Sequence, residues 1–126
     1  GNRRFPEEWQ LWYFNGVINN KLKNTEEAKE AYKKSLKYKD DAFEALVNYG
    51  QFFIERNLDK AIELYKKAVE INQENLDVMG DLAIMLHQKG ELDEAKIYYD
   101  LAINKGTKNK NLINAYGILK RDLGLE

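Results

Sequence analysis

A chain of 126 residues has the length of one domain, and its 20 basic and 21 acidic residues leave no basic stripe of the kind a nucleic-acid binder carries. It contains no cysteine, which excludes a disulfide scaffold, thiolate metal sites and a cysteine nucleophile. No run approaches the roughly 18 consecutive apolar residues of a membrane span. A single proline and a third of charged residues favour helices, and the eight tyrosines, five phenylalanines and two tryptophans suggest a core of thin layers, each filled by a large ring.

The first six residues have no apolar core after Arg3 and Arg4, so they do not form a signal peptide. The expectation is a cytoplasmic chain, with Gly1 read as a scar left on an excised piece of a longer protein. The first helix is expected over 7–22, with Pro6 in its first turn, where a missing N–H costs nothing. Phe5, Trp9, Leu11, Trp12, Tyr13, Phe14, Val17, Ile18 and Leu22 spread around most of its circumference. A helix apolar all round is normally a buried one. Something is therefore expected to cover it: an upstream segment, a second copy in a symmetric homodimer, or a peptide partner.

The second helix is expected over 26–38, with Asn24 and Glu27 spaced as a capping pair. Its lysines Lys29, Lys33, Lys34 and Lys37 alternate with Glu26, Glu27 and Glu30 at helical neighbour spacings, as on a solvated outer face. Further helices are expected over 42–56, 59–72, 76–89, 93–105 and 110–123. Gly90 and Gly106 stand where helices stop.

Four series share one register. Gly16, Gly50, Ala83 and Gly117 are 34, 33 and 34 residues apart; Ala28, Ala61 and Ala95 are 33 and 34 apart, as are Tyr32, Tyr65 and Tyr99, and Ser35, Ala68 and Ala102. The one short step is assigned to a shortened turn around Asn57. A small residue in each first helix lets its partner approach closely. The tyrosine, and the small residue three positions on, share a face of the second helix. One pair cannot bury its apolar face alone, so pairs must stack.

These residues resemble the tetratricopeptide repeat. Its pattern is a large residue, Leu-Gly and Tyr in the first helix, a Gly-x-Tyr/Leu turn, then Ala, an aromatic and Ala in the second. The third unit matches best, with Met79, Leu82, Ala83, Leu86, Gly90, Leu92, Ala95, Tyr99 and Ala102; the second has Leu46, Tyr49, Gly50, Phe53, Leu58, Ala61, Tyr65 and Ala68. In the first, Trp12, Gly16, Ala28 and Tyr32 fit, while Asn15 and Asn19 replace apolar residues. The usual closing proline is absent; Asp40, Glu74 and Thr107 lie near its place. The resemblance implies an all-α fold, a right-handed superhelical stack of antiparallel helix pairs with seven helices. It gives one domain over 1–126, with repeats about 9–41, 42–75 and 76–109 and a final helix about 110–124.

The resemblance also implies that the first helix of each pair lines a concave groove. The stripe facing it carries Tyr13, Val17 and Asn20; then Glu44, Val47, Asn48 and Gln51; then Asp77, Asp81, Ile84 and His87; then Asn114 and Ile118. Amides can hydrogen-bond the backbone of an extended peptide, and apolar gaps between them can take side chains. Glu44, Glu55, Asp77 and Asp81 make the middle acidic. A subgroup of the family holds the C-terminal carboxylates of large cytosolic chaperones with two cations, a lysine and two asparagines. At the corresponding positions stand Tyr13, Val17, Asn48, Asp77 and Asp81, of which only Asn48 matches; like charges would repel that ligand.

No phosphate loop, zinc-helix motif or nucleophile arrangement is present. His87 has no histidine or cysteine partner in sequence, and reads as a polar surface residue. Asp77 and Asp81 are four apart, the spacing of a metal pair but also of many solvated helix faces. The expectation is no enzyme, no cofactor and no metal, but a protein-interaction module, a scaffold or adaptor holding a peptide or partner protein. The alternatives are a self-assembly domain and an appended domain of a larger protein.

Overall fold

The structure, a computed structural model, describes residues 6–125. Seven helices follow in chain order: α1 (Glu8–Lys21), α2 (Thr25–Tyr38), α3 (Phe43–Phe53), α4 (Leu58–Ile71), α5 (Leu76–Lys89), α6 (Leu92–Asn104) and α7 (Lys110–Asp122). The richest contacts lie within α1–α2, α3–α4 and α5–α6, and each pair then packs on the next. This is the stack of helix pairs that the repeat spacing demands.

Close approach within a pair is set by the small residue. A Cβ added to Gly16 would lie 2.5 Å from Cε1 of Tyr32, and one on Gly50 would lie 2.7 Å from Cδ1 of Tyr65. The tyrosine of each second helix thus fills the space that its partner leaves open. Tyr65 and Tyr99 are 0% exposed, and so are Ala61, Ala68, Ala95 and Ala102. Ser35 takes the alanine position in the first layer and is also fully buried. Its hydroxyl donates to the Trp9 carbonyl at 2.7 Å, which satisfies it and ties α2 to α1. Leu46, Met79, Leu82, Leu86, Leu112 and Leu119 complete a core that runs from α3 to α7.

Local signals explain most helix ends. Asn57, Asn75 and Asn109 accept from the backbone N–H three residues on, at 3.1, 3.1 and 3.2 Å, as good N-caps do. Gly90 and Gly106 stop α5 and α6 at φ values of 90° and 91°, which glycine adopts without steric cost.

Four expectations are corrected. Pro6 precedes α1 rather than sitting in it, because Glu7 is the N-cap and forms a reciprocal capping box with Gln10. Asn24 makes no cap bond; its amide is drawn back to Asn19 Oδ1 at 3.2 Å. The short repeat step is not a shortened turn. It falls in α3, which has 11 residues against 14 in α1 and α5. That helix ends early: the Ile54 and Arg56 N–H groups donate to carbonyls three residues back, at 3.2 and 3.0 Å, and Arg56 Nη1 donates to the Phe52 carbonyl at 2.7 Å. The lysine face of α2 is also not simply solvated. The Lys34 ammonium sits 4.4 Å from the ring centroid of Trp12, and Lys29 reaches Glu26 at 3.0 Å while lying near Phe52.

Around α1, Trp9 and Trp12 fold against α2, with Lys39 and Lys34 over their rings. Phe5 lies outside the described residues. Leu11, Phe14, Ile18 and Leu22 remain 51%, 52%, 58% and 65% exposed, a continuous stripe opposite buried Gly16.

Candidate functional site

The first helices of the pairs, α1, α3 and α5, together with α7, carry all thirteen residues expected in the groove. Tyr13, Val17, Val47, Asn48, Ile84 and His87 are half-buried; Asn20, Glu44, Gln51, Asp77, Asp81, Asn114 and Ile118 are exposed. Of the seven exposed residues all but Ile118 carry a polar side chain. Asn48 Nδ2 donates to the Tyr13 hydroxyl at 3.4 Å, joining α3 to α1.

Asn20, Asn48 and Gln51 come together around a pocket of about 230 Å³, closed by Thr25, Ala28, Lys29, Tyr32, Phe52 and Arg56. Lys29 and Arg56 were not expected there. Arg56 arrives because α3 ends early, and Lys29 because its position beside buried Ala28 faces the next pair. Neither cause is visible in residue spacing alone.

His87 is not the free surface residue that its isolation in sequence suggested. Its Nδ1 lies 3.2 Å from the Tyr99 hydroxyl, and its Nε2 2.8 Å from Oδ2 of Asp122. It therefore ties α5 to α6 and α7. Asp122 lies 35 residues from His87, so only the fold brings them together.

Asp77 and Asp81 share one face of α5. The Asp81 carboxyl is partly sheltered: burial first, and then the like charge of Asp77, hold its pKa above the usual carboxylate value. Burial pushes Tyr65 up to about 12, and the charge of Asp81 adds to that while Gln51 pulls the other way. The Tyr65 hydroxyl makes no well-formed hydrogen bond among the described residues; the Gln51 amide is the group within reach of it. Tyr99 is also pushed up to about 12 by burial.

Helix pairs joined by short turns, with a tyrosine seated on a small residue in each layer, match a known family. Residues 3–111 fit the family model for the cytochrome c-type biogenesis protein H TPR domain. The chain belongs to this tetratricopeptide-repeat family. Among its relatives, the BBSome complex member BBS4 of Bos taurus is 26% identical over 118 residues, which are 94% of this chain and 23% of that protein. The photosystem I assembly protein Ycf3 of Prochlorococcus marinus is 28% identical over 109 residues, or 78% of this chain and 63% of that protein. The chain thus spans less than two thirds of either relative. Among solved structures, the first TPR of Spaghetti (RPAP3), bound to the HSP90 peptide SRMEEVD, superposes with a TM-score of 0.82 at 16% identity. That match covers 98% of this chain and 99% of that one. A MamA structure gives 0.85 at 22% identity over 94% and 66% of the two chains. These likenesses establish the all-α fold of stacked TPR helix pairs. No described helix is long and apolar enough to cross a membrane.

Proposed function

We propose that this TPR unit acts by holding, not by turnover: its concave face receives an extended, neutral or basic segment of a partner protein. The observation that carries this reading is the lining of the first helices. The amides of Asn20, Asn48, Gln51 and Asn114 alternate with Val17, Val47, Ile84 and Ile118, around a middle made acidic by Glu44, Asp77 and Asp81. Amides satisfy a peptide backbone without demanding a sequence, and the apolar positions supply anchors. The Spaghetti domain holds a peptide with two adjacent glutamates and an aspartate. Here Asp77 and Asp81 stand where the family resemblance would require cations, so such a ligand is repelled. Replacing Asp77→Lys with Asp81→Lys is expected to weaken a basic, apolar-anchored peptide, chiefly by slowing its association roughly tenfold in low salt, where steering acts. Stopped-flow fluorescence over a salt series checks this. Tighter binding of acidic than of basic peptides by the wild type would overturn the reading.

A second contact is favoured by α1. Its exposed stripe of Leu11, Phe14, Ile18 and Leu22 faces away from the core. Glu7 and Glu8 stand at its start, and Lys21 and Lys23 at its end. Antiparallel pairing with α1 of a second copy covers the stripe and sets acidic ends against basic ones, whereas parallel pairing sets like charges together. The expected result is a wild-type dimer by light scattering, reduced to a monomer by Phe14→Lys with Ile18→Lys. A wild type that stays monomeric at high concentration removes this reading and leaves the groove untouched.

A further inference from the structure

Two cations converge on one ring at the pocket between the first and second helix pairs. The Arg56 guanidinium carbon lies 4.2 Å from the centroid of the Phe52 ring, and the Lys29 ammonium lies 5.7 Å from the same centroid. Both distances are within reach of a cation–π contact, and all three side chains line the pocket. Different segments bring them there: α2 carries Lys29, α3 carries Phe52, and the turn after α3 carries Arg56. Like charges gathered at one ring repel each other, and an anion between them relieves that repulsion.

The chain supplies only part of the opposite charge. Lys29 reaches Glu26 at 3.0 Å and Glu30 at 3.8 Å, both on its own helix. Arg56 has no ion pair among the described residues. The Phe52 carbonyl takes a single N–H from it, at 2.7 Å, and a guanidinium carries five. No acidic residue lines the pocket; beside the two cations stand the amides of Asn20, Asn48 and Gln51 and the hydroxyl of Thr25. The pocket holds about 230 Å³, less than the roughly 300–1,000 Å³ of small-molecule sites. That size suits one side chain of a longer ligand better than a free metabolite.

We propose that this pocket is a subsite for one carboxylate side chain, a glutamate or aspartate within the partner segment, held by the unused N–H groups of Arg56 and by the Lys29 ammonium, with the Asn20 amide beside them. The inference rests on the groove reading above and gives the segment a direction. One acid sits between α1 and α3, and neutral or basic residues pass over α5, where Asp77 and Asp81 stand. A guanidinium offers a carboxylate two parallel, charge-assisted hydrogen bonds. The single negative charge matches the single cation that lacks an ion pair. An amide of the same shape loses the charge assistance, and a basic side chain adds a third cation.

The test is a nitrogen-15 amide-shift titration of the intact chain with short extended peptides of alternating valine and asparagine around a central lysine. The first has blocked ends and one glutamate near an end; the second has glutamine in its place; the third has glutamine and a free C-terminal carboxylate. The glutamate peptide is expected to bind at least about fivefold more tightly than the glutamine peptide, since hydrogen bonds to a charged group are gained. It alone should move the amides of Asn20, Lys29 and Arg56. Arg56→Gln is expected to bring the glutamate peptide down to the level of the glutamine peptide and to leave the latter unchanged. A variant that merely loosened the end of α3 would weaken both. Lys29→Gln should have the smaller effect, because Glu26 already shares that charge. Equal binding of the first two peptides, an unchanged preference in Arg56→Gln, or a preference for the free terminal carboxylate over the glutamate would overturn the subsite. Equal binding of the first two along Val47, Ile84 and Ile118 leaves the groove standing without it. Failure of every peptide to reach those residues removes the groove reading, and this subsite with it.

Discussion

Truncating Tyr99→Ala is expected to cost about 3–5 kcal/mol of folding stability, the range for removing a buried aromatic side chain. Tyr99 is 0% exposed on α6, with Ala95 and Ala102 equally buried on the same face. Its ring centroid lies 5.6 Å from that of Tyr116 on α7 and 6.1 Å from that of His87 on α5. The substitution therefore opens a void where three helices meet and leaves His87 Nδ1 without the hydroxyl at 3.2 Å. The small alanines around it cannot collapse to fill the space. The effect should also be uneven. In a stacked array each unit is held by its neighbours, and α7 has the thinnest contacts of any helix. Amide exchange is expected to rise first in α7 and to leave α1 and α2 nearly unchanged. Urea unfolding measures the total. A loss under about 1 kcal/mol would mean that the shared spacing of the tyrosines does not mark a packing layer.

The stack itself was legible because each layer needs the same two things, a small residue and a ring that lies on it. That requirement recurs at nearly constant spacing, so Gly16 with Tyr32, Gly50 with Tyr65 and Ala83 with Tyr99 could be paired before any coordinate. The groove stripe followed from the same register, since helical periodicity fixes which side of α3 carries Gln51 once Gly50 is known to face α4. What spacing could not carry was chemistry between units. The early end of α3 comes with Arg56 folded back onto the Phe52 carbonyl, a side-chain choice with no periodic signature. The bridge from His87 to Asp122 needs α7 docked on α5. The surroundings of the Tyr65 hydroxyl were hidden for a different reason: in the repeat pattern a tyrosine counts as a ring, and the pattern does not say that Gln51 and Asp81 act on its oxygen. On α1, the apolar residues surround the helix in sequence, and only the structure separates Trp9 and Trp12, which lie under Lys39 and Lys34, from Phe14 and Ile18, which are exposed.

The glycines that set this spacing should respond oppositely to one added methyl group. Gly50→Ala is expected to destabilise by about 1–3 kcal/mol, the usual cost of overpacking. An alanine Cβ there would sit 2.7 Å from both Cδ1 and Cε1 of Tyr65, a ring with no exposed surface and no room to turn. The gain of about 1 kcal/mol in helix propensity offsets only part of that strain. Gly117 occupies the same register position in α7, but nothing lies within 4 Å of its would-be Cβ: among the described residues no tyrosine is laid over it. There the propensity gain stands alone, and Gly117→Ala is expected to stabilise by up to about 1 kcal/mol. Urea midpoints at an unchanged m-value read both effects. Ala83 provides an internal control: its methyl group is fully buried opposite Tyr99, so the repeat can accommodate alanine when the ring is placed for it from the start. The penalty at Gly50 then belongs to the position of Tyr65, not to the repeat in general. If Gly117→Ala were destabilising instead, a partner must close on α7 in solution, and the loss would grow with protein concentration if that partner were a second copy.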